Sequence, residues 1–248
     1  MATLPLVPEK LERNDESESE LVQAATKHGL TEERRERVRT RALAEIPWWY
    51  RPYAHLASTT GLGMIVLVAS VIGIARSTFT WTDALVIPIV VAFANFFEWL
   101  VHRDVLHKRR WPMEVIYDRH TPMHHMVYIE ESMELRDVKE FRLILIPAAG
   151  VLGIILAAAP TAFVVARFWS PAAGWLFLLS ASLFMVSYEV LHLCYHAPKD
   201  SVIGRLRLIA VLRAHHARHH DPRLMQRYNF NVTVPLFDWI MGTMAPKR

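Results

Sequence analysis

The chain has 248 residues, which suits one sizeable domain or two small ones, and its formal net charge is +4 with a pI near 9.3. Hydrophobic residues make up 52% of it and are concentrated in a few long runs. Its single cysteine, Cys194, excludes an internal disulfide framework, and its basic residues lie beside the apolar runs rather than in a separate stripe, which disfavours nucleic acid as a partner.

The first fifty residues are polar and precede the apolar runs. Residues 1–20 end in an acidic stretch and predict a disordered or loosely attached tail. From Thr31, as N-cap, to about Ile46 the pattern predicts a helix whose arginines lie along a membrane surface. We therefore assign residues 1–50 to a polar tail and surface helix, and residues 51–248 to a membrane-embedded domain.

Four apolar runs predict four transmembrane helices in two hairpins. Residues 56–75 contain no charge over 20 positions, and a helix of that length spans roughly the 30 Å hydrocarbon core. Residues 143–166 are also uncharged, and membrane helices tolerate their prolines. Two shorter runs at 84–101 and 171–188 complete the set, with buried helices of a soluble core as the alternative. No strand-like alternation stands out, so the predicted class is all-α.

The distribution of basic residues predicts the orientation of these helices. With the loops 76–83 and 167–170 on one side of the membrane, only Arg76 and Arg167 of the 28 lysines and arginines lie there. The positive-inside rule then places both termini and the long 102–142 segment in the cytoplasm. The expected protein is a multi-pass integral membrane protein with a helical cap on the cytoplasmic side.

Ten of the thirteen histidines fall into four tight clusters, which this topology carries to the same side of the membrane. The clusters are His102-x4-His107, His120-x3-His124-His125, His192-x3-His196 and His216-x2-His219-His220. Neutral imidazole is the commonest metal ligand in proteins. Ten imidazoles exceed what one ion can use, so the clusters predict a two-metal centre in the cap. The alternative is a set of solvated histidines near anionic lipid.

The spacing within the clusters predicts how they are presented. His120 and His124, like His192 and His196, are four residues apart, so each pair is expected to share one helical face. The three histidines of the last cluster are expected to occupy a single arc of a helix. The 102–107 pair is one residue out of helical register, which predicts a bend or a helix end there.

Three segments make the chain resemble the fatty acid hydroxylase/sterol desaturase superfamily, over about residues 90–244. They are FEWLVHRDVLH at 97–107, RHTPMHH at 119–125 and HHARHHDPRLMQRYNFNVTVPLFDWIMGT at 215–243. The order of the boxes resembles the fatty acid 2-hydroxylase branch. The resemblance implies an integral membrane enzyme with a non-haem di-metal centre that uses molecular oxygen to hydroxylate or desaturate lipids, and it makes residues 51–248 a fatty acid hydroxylase-like domain.

The resemblance also implies a set of metal ligands. They are His102, His107, His120, His124, His125, His192, His196, His216, His219 and His220. The second box of the family usually reads H-x2-H-H, whereas one more residue separates the first two histidines of this box. Two iron ions are favoured because the expected chemistry is redox, although zinc (in a purified form) or copper would also bind such ligands.

Four further residues are candidates for supporting the ligands. Glu98 lies four residues, and Glu189 three residues, before a proposed ligand, so each shares a helical face with it. A carboxylate that accepts the distal ring N–H orients an imidazole, while a helix-end glutamate that reaches water is the alternative. His215 is placed beside the centre because the last box can be taken to begin at either His215 or His216. Asn231 is a candidate to hydrogen-bond a metal-bound water, with turn formation as the alternative.

The expected function is oxygen-dependent hydroxylation of a membrane lipid or fatty acyl chain. A sterol desaturase or oxidase and a carotenoid hydroxylase of the same superfamily remain open, as does a non-catalytic member of the family. A membrane metal transporter is disfavoured because the histidines gather at one end instead of near the midplane. Residues 1–50 are too short for the haem-binding domain that eukaryotic 2-hydroxylases often carry, so an external electron-transfer protein is the expected partner.

Overall fold

A computed structural model of the protein describes residues 17–247, so most of the tail predicted at residues 1–20 lies outside the described residues. Within that part the chain is helical and forms no strand beyond one isolated bridge between Ile129 and Ser132. The α-helices are α1 (Glu18–His28), α2 (Glu32–Ala44), α3 (Pro52–Ala75), α4 (Val86–Val101), α5 (Glu114–Arg119), α6 (His125–Val127), α7 (Phe141–Ile144), α8 (Ala148–Phe168), α9 (Pro171–Tyr195), α10 (Arg207–His219) and α11 (Leu236–Ile240). The predicted all-α class is confirmed for these residues.

Four helical stretches are long and apolar enough to cross a membrane, as the sequence predicted for a multi-pass membrane protein. They are Pro52–Ala75, Asp83–Leu106, Val138–Phe168 and Pro171–Tyr195. Large apolar side chains on them point outward, including Ile65 (67% exposed), Phe93 (60%) and Phe163 (71%). Such a surface suits lipid, in which a helix satisfies its own backbone groups.

The helix α9 is the centre of the bundle, because it packs against α3, α4 and α8. Small side chains line its buried face, among them Ala172, Ala173 and Gly174 near its beginning. Glycines in α3 allow an equally close approach, since a Cβ at Gly73 would lie 2.2 Å from the ring of Trp175. The first predicted hairpin consists of α3 and α4, which are consecutive in the chain but make few contacts with each other. Both helices pack against α9 instead.

The end of the bundle that carries the histidines is covered by the two N-terminal helices. Thr31 caps α2 by accepting from the backbone N–H of Arg34 at 3.3 Å, as predicted. The sequence did not predict α1, whose capping box joins Ser17 and Glu20, so the last residues of the predicted loose tail belong to an ordered helix. Val22 and Ala25 of α1 are buried against two methionines of the cap, Met126 and Met225.

The arginines of α2 do not all lie on a membrane surface, contrary to the sequence-based expectation. Arg35 and Arg39 are buried, at 1% and 3% exposure. Arg39 forms an ion pair of 2.5 Å with Glu140, which also accepts from the hydroxyl of Tyr128 at 2.7 Å. A buried charge needs such partners, and these contacts fasten α2 to the residues that precede α7.

Candidate metal centre

The structure brings all ten clustered histidines together at one end of the bundle, in two groups of five. Group 1 consists of His102, His107, His120, His125 and His219. Group 2 consists of His124, His192, His196, His216 and His220. Within each group one ring nitrogen per histidine lies within 4.8 Å of the others, which is close enough to share one metal ion. Nine of the ten side chains are buried, and His120 is partly buried.

Group 1 is built on two π-helical turns, His102–Leu106 and His120–His124. A π turn has an i→i+5 repeat, so it aligns side chains five residues apart instead of four. The first turn brings His102 and His107 together, and the second brings His120 and His125 together. His219, at the end of α10, completes the group.

Group 2 is built on ordinary α-helical turns. His192 and His196 lie four residues apart at the end of α9, as do His216 and His220 at the end of α10. His124 completes the group from the second box. The predicted face shared by His192 and His196 is therefore present.

Two of the predicted arrangements are present, but the histidines in each divide between the groups. The rings of His120 and His124 stack 5.4 Å apart, yet His120 belongs to group 1 and His124 to group 2. The rings of the last cluster lie within 6.0 Å of one another at the end of α10, yet His219 joins group 1 while its two neighbours join group 2. The π turn also accounts for the extra residue of the second box. In an H-x2-H-H sequence the first and last histidines lie four apart on an α-helix, and the wider turn keeps the same two together when they lie five apart.

Backbone carbonyls, not carboxylates, hold five of the ten rings. An imidazole that donates from Nδ1 has its tautomer and orientation fixed, with the Nε2 lone pair free for another partner. The Nδ1 contacts are His102 with Phe230 O, His124 with Leu143 O at 3.1 Å, His196 with Met133 O at 2.7 Å, His219 with Tyr228 O at 2.8 Å and His220 with Tyr128 O at 2.7 Å.

One side chain has the same role for His107. The Thr121 hydroxyl donates to the carbonyl of Leu106 at 2.6 Å, so it can only accept from Nδ1 of His107, 3.1 Å away. Thr121 lies inside the second π turn and Leu106 ends the first. The contact therefore joins the two turns on which group 1 is built. The sequence analysis did not identify Thr121, and only its position directly after His120 could have drawn attention to it.

One pair of the remaining Nε2 atoms faces each other without a proton between them. His107 and His219 both donate from Nδ1, yet their Nε2 atoms lie 2.9 Å apart. Two lone pairs at that distance repel unless a cation accepts both. In group 2 the Nε2 of His196 is buried without any partner within the described chain. These donor sets fit a metal ion in each group, because a divalent cation accepts neutral imidazole nitrogens.

Burial keeps these imidazoles neutral. It lowers the pKa of His107, His125 and His219 in group 1 well below its ordinary value of about 6.5, and neighbouring histidines lower it further. The pKa of His196 and His216 in group 2 is lowered for the same reasons. A neutral imidazole is the form that binds a metal, so the site favours the ligand form at neutral pH.

Glu98 does not contact His102, contrary to the proposed carboxylate–histidine pair. Its partly buried carboxylate accepts from the backbone N–H groups of Val232 at 2.6 Å and Thr233 at 2.9 Å, and from the Thr233 hydroxyl at 2.6 Å. Its effect on His102 is indirect, because it fixes the segment whose Phe230 carbonyl holds that ring. Glu189 likewise accepts from the backbone N–H of Ile146 at 3.3 Å and not from a histidine.

The other two supporting candidates also have structural partners. Asn231 donates to the carbonyl of Asn95 at 2.9 Å and accepts from the backbone N–H of Asp238 at 3.1 Å, so it stabilises its own loop as the turn alternative proposed. His215 lies outside both groups, with its Nε2 3.2 Å from Asp238. Cys194 packs beside the cluster around Tyr195 and belongs to neither group.

The comparison with known families agrees with this geometry. A family model described as fatty acid hydroxylase matches residues 87–243, which is more than half of the chain and includes both histidine groups. No curated protein and no solved structure matches the chain. The matched region, with its membrane-type helices and its paired histidine groups, shows that the chain belongs to the fatty acid hydroxylase family, within the fatty acid hydroxylase/sterol desaturase superfamily.

Proposed function

We propose that the protein is an oxygen-dependent hydroxylase of a membrane lipid or fatty acyl chain, with one iron ion held by each histidine group. The family implies an oxidoreductase. The observation that carries the proposal is the pair of five-histidine groups, together with the two Nε2 lone pairs of His107 and His219 that lie 2.9 Å apart in group 1. Such nitrogen-rich sets would also bind zinc, and iron is chosen because zinc has no accessible redox change. Two iron ions would supply the reduction of molecular oxygen and the oxidation of a C–H bond.

The residues of the chain would supply position, shape and exclusion of water. Carbonyls of Tyr128, Met133 and Leu143 fix rings of group 2, and those of Tyr228 and Phe230 fix rings of group 1. A fixed Nε2 direction sets where each ion would lie before substrate arrives. Burial of the groups keeps bulk water away from the reacting atoms, which limits side reactions.

The membrane helices would supply the substrate. Both groups lie at the ends of α4 and α9, so a lipid in the adjacent leaflet reaches the site with its chain still in the bilayer. We place this end in the cytoplasm because 26 of the 28 lysines and arginines lie with it in the predicted topology. Electrons would come from an external electron-transfer protein on that side.

Lipid mass spectrometry of a host that expresses the protein tests the proposal. Wild type should add one oxygen to a defined lipid, and His219→Ala should abolish the product. His28→Ala is the control, since His28 is exposed at the end of α1 and lies outside both groups, and it should retain the product. A product that lacks two hydrogens would instead identify a desaturase. Equal product from wild type and His219→Ala would contradict the assignment.

A further inference from the structure

A second polar cluster lies where α3 begins and where α7 precedes the third span. It consists of Tyr50, His55, Arg119 and Arg142, which are all partly buried. The Tyr50 hydroxyl lies 2.8 Å from Nδ1 of His55, whose Nε2 lies 3.1 Å from the carbonyl of Ile146. Exposed aromatic side chains surround the beginning of α3, including Trp48 and Trp49. Aromatic side chains of this kind are typical of the headgroup level of a bilayer.

The two arginines of this cluster lie side by side. The guanidinium of Arg119 donates to the backbone carbonyl of Arg142 at 2.9 Å, and the guanidinium of Arg142 lies 5.9 Å from the ring centre of Tyr50. Burial raises the pKa of Tyr50 to about 12, and the positive charges of Arg142 and Arg119 act against that rise. Both charges are therefore close to the same phenol.

Neither arginine has a carboxylate partner among residues 17–247. Other arginines of the same end do have one: Arg109 binds Asp118 at 2.9 Å, and Arg39 binds Glu140 at 2.5 Å. Two partly buried positive charges held side by side without an anion are unfavourable, because they repel each other and have lost part of their hydration. A guanidinium pair also has the planar donor geometry that carboxylates and phosphates require.

We infer that Arg119 and Arg142, with Tyr50 beside them, bind the anionic group of a membrane lipid, either a carboxylate or a phosphate. The site lies at headgroup level, so a lipid can place its anionic group there while its chain stays in the bilayer. It is also adjacent to the candidate metal centre along the chain. Arg119 directly precedes His120 of group 1, and Arg142 directly precedes Leu143, whose carbonyl lies 3.1 Å from Nδ1 of His124 of group 2.

This placement gives the site a part in substrate selection, and that part rests on the proposed lipid hydroxylase function. A lipid anchored by its anionic group presents a fixed length of chain to the two groups, so the anchor would set which carbon is attacked. A neutral lipid would lack the anchor. The site therefore predicts a preference for anionic lipids over zwitterionic ones of the same chain length.

Binding to the purified full-length protein in detergent tests the inference without turnover. Native mass spectrometry would be used with four probes: palmitate, phosphatidic acid, phosphatidylcholine and inorganic phosphate. The variant is Arg142→Gln, which keeps the backbone carbonyl that Arg119 uses. The matched control is Arg51→Gln, an exposed arginine next to Tyr50. Loss of one charge-assisted contact should weaken binding of an anionic lipid about tenfold.

The inference is supported if Arg142→Gln weakens palmitate or phosphatidic acid selectively, with phosphatidylcholine unchanged and Arg51→Gln close to wild type. The anionic probe whose binding is weakened more shows whether the site prefers a carboxylate or a phosphate. Equal losses of lipid binding in Arg142→Gln and Arg51→Gln would show that general surface charge attracts the lipid, and would overturn the inference. Displacement of the lipid by inorganic phosphate at equal concentration would also overturn it.

Folding is checked by the thermal midpoint and the metal content of each variant. Should Arg142→Gln fail to fold, Arg119→Gln removes the other charge and is expected to show the same selective loss, and unchanged binding there overturns the inference. Failure of this site leaves the hydroxylase proposal standing if wild type still oxidises a lipid. Failure of the hydroxylase proposal would appear in the lipid analysis of His219→Ala and not in this binding assay.

Discussion

The two histidine groups contain the same number of imidazoles but are built in different ways. Group 2 takes its pairs from α-helical turns at the ends of α9 and α10, whereas group 1 takes its pairs from two π turns. Their supports differ as well. Rings of group 2 are held by carbonyls between Tyr128 and Leu143, and rings of group 1 by Thr121 and by the loop that contains Tyr228 and Phe230.

The comparison shows that a locally widened helix brings together histidines five residues apart, as an α-helix does for histidines four residues apart. The two histidine pairs of group 2 follow from the regular repeat of α9 and α10. Group 1 depends on a buried polar network, since Glu98 and Asp238 hold the loop that holds its rings. We therefore expect group 1 to respond more strongly to changes outside the histidines.

The largest expected effect is loss of one ion from one group. His107→Ala leaves four imidazoles in group 1, which should then lose its ion. His196→Ala should have the same effect on group 2. Metal analysis of the purified protein should give two ions per chain for wild type and about one for each variant, because each group supplies its own ligands. His28→Ala should keep both ions. Complete retention in His107→Ala would show that the groups do not bind as assigned.

Removal of metal should make stability depend on pH. Burial lowers the pKa of His196, His216 and His220 well below 6.5, so they stay neutral in the folded chain while the unfolded chain protonates them near pH 6.5. The unfolded state thus binds more protons as pH falls. Stability is full above about pH 6.5 and decreases below it, by up to about 1.4 kcal/mol per pH unit for each such histidine.

The thermal midpoint of chelator-treated protein checks this, measured between pH 5.5 and 7.5. It should fall as the pH is lowered, and added divalent metal at pH 7.5 should raise it because the ion binds only the folded site. A midpoint that rises on acidification would contradict the buried neutral state of these rings.

The sequence predicted the helices and the histidine set because both follow from simple regularities. Uncharged runs of membrane length predicted the spans, and the clusters predicted which imidazoles come together. The π turns were not predictable from periodicity, since a rule based on 3.6 residues per turn paired His120 with His124. The supports were not predictable either, because five of them are backbone carbonyls, such as Phe230 O, that carry no side-chain signal.

The helix α1 shows a different limit. Its acidic first residues read as a solvated tail, although Ser17 and Glu20 form a capping box. Three apolar side chains, Leu21, Val22 and Ala25, pack it against the cap. Composition alone does not distinguish a helix with so short an apolar stripe from a disordered segment. Tertiary packing against Met126 and Met225 decides the outcome.

A smaller effect is expected from the hydroxyl that joins the π turns. Thr121→Val keeps the shape of the side chain but removes the acceptor of His107 and the donor to Leu106. Loss of a ligand's orienting partner typically costs about 10–100-fold in metal affinity, so group 1 should weaken by that range while group 2 is unchanged. Thr60→Val is the matched control, because its hydroxyl donates only to Leu56 within α3. Metal titration of both variants checks this, and equal behaviour would remove Thr121 from the support of group 1.

The smallest effect distinguishes Glu98 from Glu189. In Glu98→Gln the new amide group faces the amide donors of Asn95 and Asn231, which leaves buried donors unpaired and should cost about 1–3 kcal/mol of stability. The loop would shift, and with it the Phe230 carbonyl, so group 1 should bind its ion several-fold more weakly. Glu189→Gln loses less, because Glu189 accepts only from Ile146 and its amide oxygen can still do so. Thermal melts with metal titration compare the two variants. If Glu189→Gln weakens metal binding as much as Glu98→Gln does, the comparison fails. The loop would then matter no more to group 1 than the helices matter to group 2.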